Sequence, residues 1–264
     1  MTEEQTQWET KILLSLCLQK EGIELALSMD DVVCEDAVKA FNEYLQRRRN
    51  WEPLQYITEE TEFMGRIIKT SPGVLIARQD TEVLVNEALA RLPIETNCHV
   101  LDLGTGSGNI ILSLALERPK LQGIAIDISA QALELAEKNF NLLGLKERIT
   151  LIKGNWFDPL KNQKFDMIVS NPPYISHADM NTLPKSVMAE PSLALYGGSD
   201  GLGAYREIIR RASEFLNPGG WLLMEIGADQ GEKVCKLMTE SGIKTPKIIQ
   251  DTGKRDRVIA GKNN

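Results

Sequence analysis

Residues 80–264 of this chain predict an α/β fold: a mostly parallel, doubly wound sheet with helices on both faces. Three observations carry that expectation. Short apolar runs of strand length alternate with amphipathic helical stretches from Asp80 onward. A glycine-rich segment, Asp102-Leu103-Gly104-Thr105-Gly106-Ser107-Gly108, stands between one such strand and the next helix. Another strand, through Met167-Ile168-Val169, runs into Asn171-Pro172-Pro173-Tyr174. Two consecutive prolines stiffen that corner and remove two N–H donors. In a doubly wound sheet both segments fall at the carboxyl ends of strands, where ligands bind.

The first 50 residues show helical period and no strand signal. Trp8, Ile12, Leu13 and Leu16 recur at three- and four-residue steps. Asp30 or Asp31 is expected to cap a later helix with Val33, Ala37, Ala40, Phe41 and Leu45 on one face. Residues 1–50 are therefore read as a small helical domain. Residues 51–79 are read as a hairpin linker, because Leu54-Gln55-Tyr56-Ile57 and Arg66-Ile67-Ile68-Lys69 are β-like runs around a polar stretch containing Gly65. Residues 80–264 then make the larger domain. Its expected order is helix 80–92, strand 100–103, a helix from the glycine loop through Leu116, and strand 123–126 leading to Asp127. Helix 129–143 follows, with Ser129 as N-cap and Ala132, Leu133, Ala136, Phe140 and Leu143 as its buried stripe. Strands 149–152 and 165–170, helix 203–216, strand 221–226, helix 229–240 and two terminal strands complete it.

Composition narrows the function classes. The chain has 264 residues, 25% charged and 42% hydrophobic, which suits a globular protein. Its net charge of −7 disfavours a general nucleic-acid binder, which needs cations against phosphates. The one basic run, Arg47-Arg48-Arg49, ends an expected helix and complements its dipole. The apolar stretch Ile12–Leu18 is too short to span a bilayer and follows acidic residues, the wrong flank for a secretory signal. No membrane association and a cytoplasmic location are expected. Cys17, Cys34, Cys98 and Cys235 are scattered, and with only His99 and His177 to join them they spell no metal site. Buried free thiols in a reducing compartment are expected.

The glycine loop and its neighbours imply a cofactor. Gly104, Gly106 and Gly108 permit a tight turn and close approach of a ligand, while the following helix offers free N–H groups to a carboxylate or phosphate. Thr105 and Ser107 lie within the same loop. Asp127, at the end of the next strand, is placed to accept both hydroxyls of a ribose. An adenosine-containing cofactor follows. The dinucleotide fingerprint is G-x-G-x-x-G, whereas here the spacing is G-x-G-x-G with Asn109 after it. S-adenosylmethionine is the better fit. Asp102 adds a carboxylate for its ammonium, or else satisfies loop N–H groups. Trp156 follows the third strand and either stacks on the adenine or packs in the core.

Asn171 to Tyr174 then form a slot for a planar nitrogen-bearing group, with an amide as partner and a ring as wall. Together with Asp102–Gly108, Asp127-Ile128-Ser129, Glu190-Pro191-Ser192-Leu193-Ala194-Leu195 and Gly197-Gly198-Ser199-Asp200-Gly201-Leu202, this segment resembles the HemK-type release-factor glutamine methyltransferases. The likeness spans nearly the whole chain, including the closing Arg255-Asp256-Arg257-Val258. Asn-Pro-Pro-Tyr is shared with amino-methyltransferases of adenine and cytosine, so the segments from Glu190 to Leu202 are the more specific. Asp80-Thr81-Glu82 resembles the release-factor branch rather than the ribosomal-protein branch. Departures are Ala77 and Gln79 where Pro is usual, Asn155 where Asp is common, and Trp51 where Gly is usual.

The resemblance implies a Rossmann-like class I methyltransferase domain that uses S-adenosylmethionine to methylate the glutamine amide in the Gly-Gly-Gln loop of peptide chain release factors. In that reading Asn171 and the Pro172 carbonyl each accept one amide hydrogen, while Pro173 and Tyr174 wall the slot. Asn171 also borders the cofactor. No metal is needed. Glu190 either orients the corner loop or meets a protein substrate, and His177 reads as a solvent-facing loop residue. The alternatives are a ribosomal-protein glutamine methyltransferase, an adenine-N6 methyltransferase acting on a flipped base, and a non-catalytic cofactor-binding protein. The last of these predicts a damaged corner, whereas residues 171–174 are intact.

Overall fold

Why the two motifs meet is visible in the strand order of the larger domain. The computed structural model describes residues 2–28 and 30–264. Its seven-stranded sheet runs in the order β5-β4-β3-β6-β7-β9-β8. The strands are β3 (Cys98–Leu103), β4 (Leu121–Asp127), β5 (Ile149–Lys153), β6 (Phe165–Ser170), β7 (Leu216–Glu225), β8 (Lys244–Gln250) and β9 (Asp256–Lys262). The five strands β3 to β7 are parallel to one another, and β9 is antiparallel to both β7 and β8. Successive strands step outward from β3 to β5, and the chain then returns to the other side of β3 as β6. That reversal opens a crevice between the carboxyl ends of β3 and β6. There Leu103 pairs with Ser170, and the Ser170 hydroxyl donates to the Leu103 carbonyl at 2.7 Å. The glycine loop leaves one of these ends and the Asn171 corner leaves the other.

The helices cover both faces. They are α5 (Glu82–Leu89), α6 (Asn109–Glu117), α7 (Ala130–Leu142), α11 (Gly203–Phe215) and α12 (Gly231–Glu240), with the single turns α8 (His177–Met180), α9 (Lys185–Met188) and α10 (Ser192–Leu195) between β6 and α11. Ser129 caps α7 by accepting from the Ala132 N–H at 3.2 Å. The buried side of α7 includes Ala132, Ala136 and Phe140 as expected; Leu133 and Leu143 are only partly covered, while Leu135 and Asn139 are buried. One core cluster, around Val100, Ile111 and Phe140, lies on one face of the sheet; the other, around Leu101, Phe157 and Tyr205, lies on the opposite face. Adjacent residues Val100 and Leu101 thus feed opposite clusters, as the pleat of a strand buried on both faces requires.

The N-terminal part is helical: α1 (Glu3–Leu18), α2 (Gly22–Leu27), α3 (Glu35–Arg49) and α4 (Leu54–Thr58). Two expectations there need correction. α3 begins at Cys34 with no side-chain cap, and Asp31 instead accepts from Lys20 at 3.2 Å; Val33 lies outside the helix. Leu54–Ile57 is also not a strand. Pro53 starts a helical turn, and the three-residue step from Leu54 to Ile57 puts both side chains against Leu13 of α1. Burial of that pair overrides the β-like composition of the run. The hairpin does exist, but its strands are β1 (Glu60–Phe63) and β2 (Arg66–Lys69), joined by Met64-Gly65 with φ of 51° and 69°. Two positive φ values in a two-residue loop are the type I′ geometry that the strand twist selects. Phe63 and Ile68 of this hairpin belong to the core of the large domain.

Arg47 and Arg48 do more than answer a helix dipole. Arg47 grips Glu52 through two nitrogens at 2.9 and 2.6 Å, and Arg48 grips Glu9 of α1 at 2.6 and 2.9 Å. All four cysteines are free, though Cys98 alone is buried and Cys34 is exposed. Among the described residues, no helix is long and apolar enough to cross a membrane, and no cluster of potential metal ligands occurs.

Candidate active site

At the end of β3 the chain doubles back on β4. The Gly104 and Thr105 N–H groups both donate to the Ile126 carbonyl, at 2.8 and 3.0 Å. Gly104, Gly106 and Gly108 have φ of 71°, 58° and 81°, a region that L side chains enter at a cost. Gly108 has a second reason. A Cβ there would stand 2.6 Å from the Phe140 ring, so the glycine lets α6 start hard against α7. Nothing lies within 4 Å of the Cβ position at Gly106, which faces open space. α6 begins with no side-chain cap; in its first turn the Ile111 N–H turns to Asp102, and those of Asn109 and Ile110 are left for a ligand.

Asp127 closes this loop. One carboxylate oxygen accepts from the Gly106 N–H at 2.9 Å and the other from the Ser129 N–H at 2.8 Å. The carboxylate is thereby held rigid, with lone pairs remaining on both oxygens. Burial raises its pKa, and the backbone N–H bonds oppose that rise. Asp102 sits behind the loop, fully buried. Its Oδ2 accepts from the Thr105 hydroxyl at 2.7 Å, while Oδ1 has no close hydrogen-bond partner. Burial pushes this carboxyl up to about 7. Trp156 has φ of 47° and is held by its neighbour Phe157, whose ring stacks on Phe215 at 4.6 Å. Its own ring flanks the glycine loop, since a Cβ on Gly104 would meet it at 3.5 Å.

These features surround a cavity of about 410 Å³. Gly104, Thr105, Gly106, Ser107, Asp127 and Trp156 line it together with Asn171 and Pro173. Gly108, Asp102, Pro172 and Tyr174 do not line it. Pro172 is buried, and nothing among the described residues donates to its carbonyl. Tyr174 packs into the core cluster, and burial raises its phenol to about 12. The segment Gly73–Arg78 covers the cavity from above, anchored by the buried Glu190. Glu190 accepts from the Ile76 N–H at 3.0 Å and pairs with Arg78. Its side chain is 1% exposed, so it organises the pocket's roof and does not present itself to a partner. His177 is exposed beside Tyr196.

Behind the corner lies the second glycine-rich segment. A Cβ on Gly197 would stand 2.6 Å from the Pro173 carbonyl, and one on Gly201 would strike the Tyr174 carbonyl. These glycines are what allow residues 197–201 to buttress the corner at backbone distance. Gln230 completes the buttress, donating to the Tyr174 carbonyl at 2.9 Å. Gly197→Ala should therefore shift the corner. We expect turnover to fall about tenfold or more, in line with the cost of sub-ångström misplacement, while cofactor affinity measured by calorimetry stays near normal. Unchanged turnover would mean that the buttress is dispensable.

Three side chains at the site escape a sequence reading. Thr81 accepts from the Asn171 amide NH2 at 3.2 Å and donates to Glu225 at 2.6 Å. Burial pushes Glu225 up to about 7, against the pull of the Thr81 hydroxyl and the Arg257 charge. Arg257 in turn pairs with Asp80 at 3.0 Å and Asp251 at 3.2 Å. Next to Thr81, Glu82 accepts from the Met64 N–H at 2.8 Å, so three consecutive residues tie the hairpin, the corner and β9 together. A lone Glu in the apolar strand Leu222-Leu223-Met224-Glu225 was the one available signal, because an unpaired charge is rare in such a place.

Comparison with known proteins agrees with this geometry. A methyltransferase domain family matches residues 94–261, and the PrmC N-terminal domain family matches residues 2–58. The release factor glutamine methyltransferase of Geobacter sulfurreducens is 42% identical over 98% of this chain and 90% of its own. That of Moorella thermoacetica is 41% identical over 96% of this chain and 90% of its own. Among solved structures, a methyltransferase from Pyrococcus furiosus superposes with a TM-score of 0.58 at 17% identity, covering 84% of this chain and 98% of that one. The 16S rRNA N2 G1207 methyltransferase of Thermus thermophilus, solved with AdoMet and guanosine, also gives 0.58 at 17% identity, over 78% of this chain and 50% of that one. At such identities these structures speak for the shared sheet alone.

Proposed function

Since this chain belongs to the release factor glutamine methyltransferase family, we propose that it transfers a methyl group from S-adenosylmethionine to a glutamine side-chain amide of peptide chain release factors. The observation that carries this reading is the adjacency of the glycine loop and Asn171 across the Leu103–Ser170 pair. The glycine loop and Asn171 line one cavity, which supports reading the first as donor pocket and the second as the partner of the acceptor amide.

The residues present suit that cofactor. The uncapped start of α6 suits a carboxylate and the rigid Asp127 carboxylate suits a ribose diol, while Asp102, behind the cavity lining, holds Thr105 of the loop. Trp156 offers an apolar face for adenine beside Gly104. When bound, S-adenosylmethionine supplies an electrophilic methyl on a sulfonium. A carboxamide nitrogen is a weak nucleophile, so positioning by the protein carries much of the rate. Asn171 accepts one amide hydrogen through Oδ1, and the Pro172 carbonyl, unpaired among the described residues although Pro172 itself lies outside the cavity lining, is the acceptor assigned to the other. Both place negative dipoles where the nitrogen becomes positive. Pro173 closes one side of the slot, and Tyr174 braces the turn through its ring and carbonyl. No strong base is required, because the nitrogen becomes acidic only after methylation.

The glutamine of the Gly-Gly-Gln loop, in the cytoplasm, is the acceptor this reading favours. Incubation with labelled cofactor and purified release factor, followed by peptide mapping, tests it. Label on that glutamine is the expected result; label on nucleic acid or on a ribosomal-protein glutamine instead would replace the assignment.

Docking of the protein substrate falls to the helical part and hairpin. An open groove of about 1050 Å³ runs from Trp8 and Ile12 of α1 past Glu60 and Glu62 to Ala77 and Arg78, which also line the cavity. Trp8 is 58% exposed at its far end. Trp8→Ala is expected to raise KM for the intact release factor about tenfold, as loss of an aromatic anchor does, with cofactor affinity unchanged. An unaltered KM would remove the groove from the docking path.

A further inference from the structure

Asparagine presents a special problem at such a site. Its amide has nearly the same shape in two orientations that differ by a half-turn, and only one puts the oxygen toward the reacting nitrogen. The other would aim an NH2 at the substrate's own NH2, donor against donor. Something must choose between them, and the choice has to be made where water cannot satisfy either orientation.

We infer that Thr81 and Glu225 form a one-way hydrogen-bond relay that sets the orientation of the Asn171 amide, making them positioning residues for methyl transfer. The relay starts at Glu225, which ends β7 and is 2% exposed. As a carboxylate it can only accept, so the Thr81 hydroxyl must point its single hydrogen at Oε2, 2.6 Å away. Thr81 is 1% exposed and its oxygen is then left with lone pairs alone. It can only accept from Asn171, and Nδ2 is the Asn171 atom that faces it, at 3.2 Å; the Glu225 carboxylate also draws the same NH2 directly. Oδ1 is therefore the atom turned to the cavity that Asn171 lines. Arg257, whose side chain is 8% exposed, lends positive charge that favours the carboxylate form of Glu225 against its burial, and Asp80 and Asp251 hold it in place. Reversing any one link reverses the chain of donors and turns the Asn171 amide round.

The relay rests on Asn171 accepting a hydrogen from the substrate amide, so Asn171→Ala is assayed beside the relay variants on the full chain with purified release factor. Thr81→Val keeps the side-chain shape but removes both hydrogen bonds. Its kcat is expected to fall about 10- to 100-fold, with the cofactor Kd within about threefold of normal. Thr81→Ser restores the hydroxyl and should recover kcat to within about threefold. Glu225→Gln supplies a second route should Thr81→Val fail to fold. The Arg257 charge draws the new amide's oxygen, leaving its NH2 toward Thr81 and reversing the relay, so kcat should again drop about tenfold or more at normal cofactor affinity. Normal turnover in Thr81→Val or Glu225→Gln, or no recovery in Thr81→Ser, overturns the relay. If those variants turn over normally while Asn171→Ala is inactive, the relay alone is refuted. Normal turnover in Asn171→Ala refutes the role of Asn171 and the relay with it.

Discussion

Replacing Asn171 by Ala is expected to abolish methyl transfer. The reaction turns a neutral amide nitrogen into a positive one, and the acceptors aimed at its hydrogens gain strength as that charge develops. An acceptor whose bond strengthens only in the transition state acts on kcat rather than on binding. Loss of one such preorganised group costs about 10²- to 10³-fold in kcat, which takes labelled product to background. The Asn171 side chain bonds to Thr81 and not to the glycine loop or Asp127. Cofactor affinity should therefore stay within about tenfold of normal. Single-turnover assays with labelled cofactor, paired with calorimetry, separate the two quantities. Turnover near normal in this variant would remove Asn171 from the chemistry.

The second large effect is expected at Asp127. Its two oxygens are each fixed by a backbone N–H, from Gly106 and Ser129, which would let them accept the proposed ribose diol without rearrangement. Hydrogen bonds to a charged acceptor are worth about 1.5–3 kcal/mol each. Losing two of them in Asp127→Ala is expected to raise the cofactor Kd about 10²- to 10⁴-fold. The same change strands the Gly106 N–H and loosens the glycine loop, which adds to the loss. Asp127→Asn keeps one acceptor oxygen without the charge and should fall in between. Calorimetry on both variants checks the order, and an unchanged Kd in Asp127→Ala would rule out the ribose role.

Legibility in the sequence followed the range of the interactions. Wherever one face of a helix or both faces of a strand are buried by hydrophobic period, the expected and observed elements coincide closely, as in strand 165–170 or helix 203–216. Leu54–Ile57 went the other way because the run is short and its burial partner, Leu13, lies in α1. Asp30 and Asp31 looked like caps because local chemistry allows it, yet Asp31 found Lys20 instead. At the site, Gly104 to Gly108 and Asn171 to Tyr174 were readable as motifs because each is a local backbone device. Thr81 and Glu225 were not, since their bonds join positions 90 and 144 residues apart.

Chemical identity was thus a matter of sequence: a glycine loop with two flanking carboxylates for the donor, and an amide on a proline-stiffened corner for the acceptor. These depend on residue type and short spacing, which the chain carries whatever its fold. Orientation was decided only in three dimensions. Which atom of Asn171 faces the cavity depends on a hydroxyl from the turn before α5 and a carboxylate from β7, brought together by a sheet whose strand order reverses between them. A hydrogen bond has a direction as well as partners, and direction is settled only when every buried donor and acceptor around it is in place.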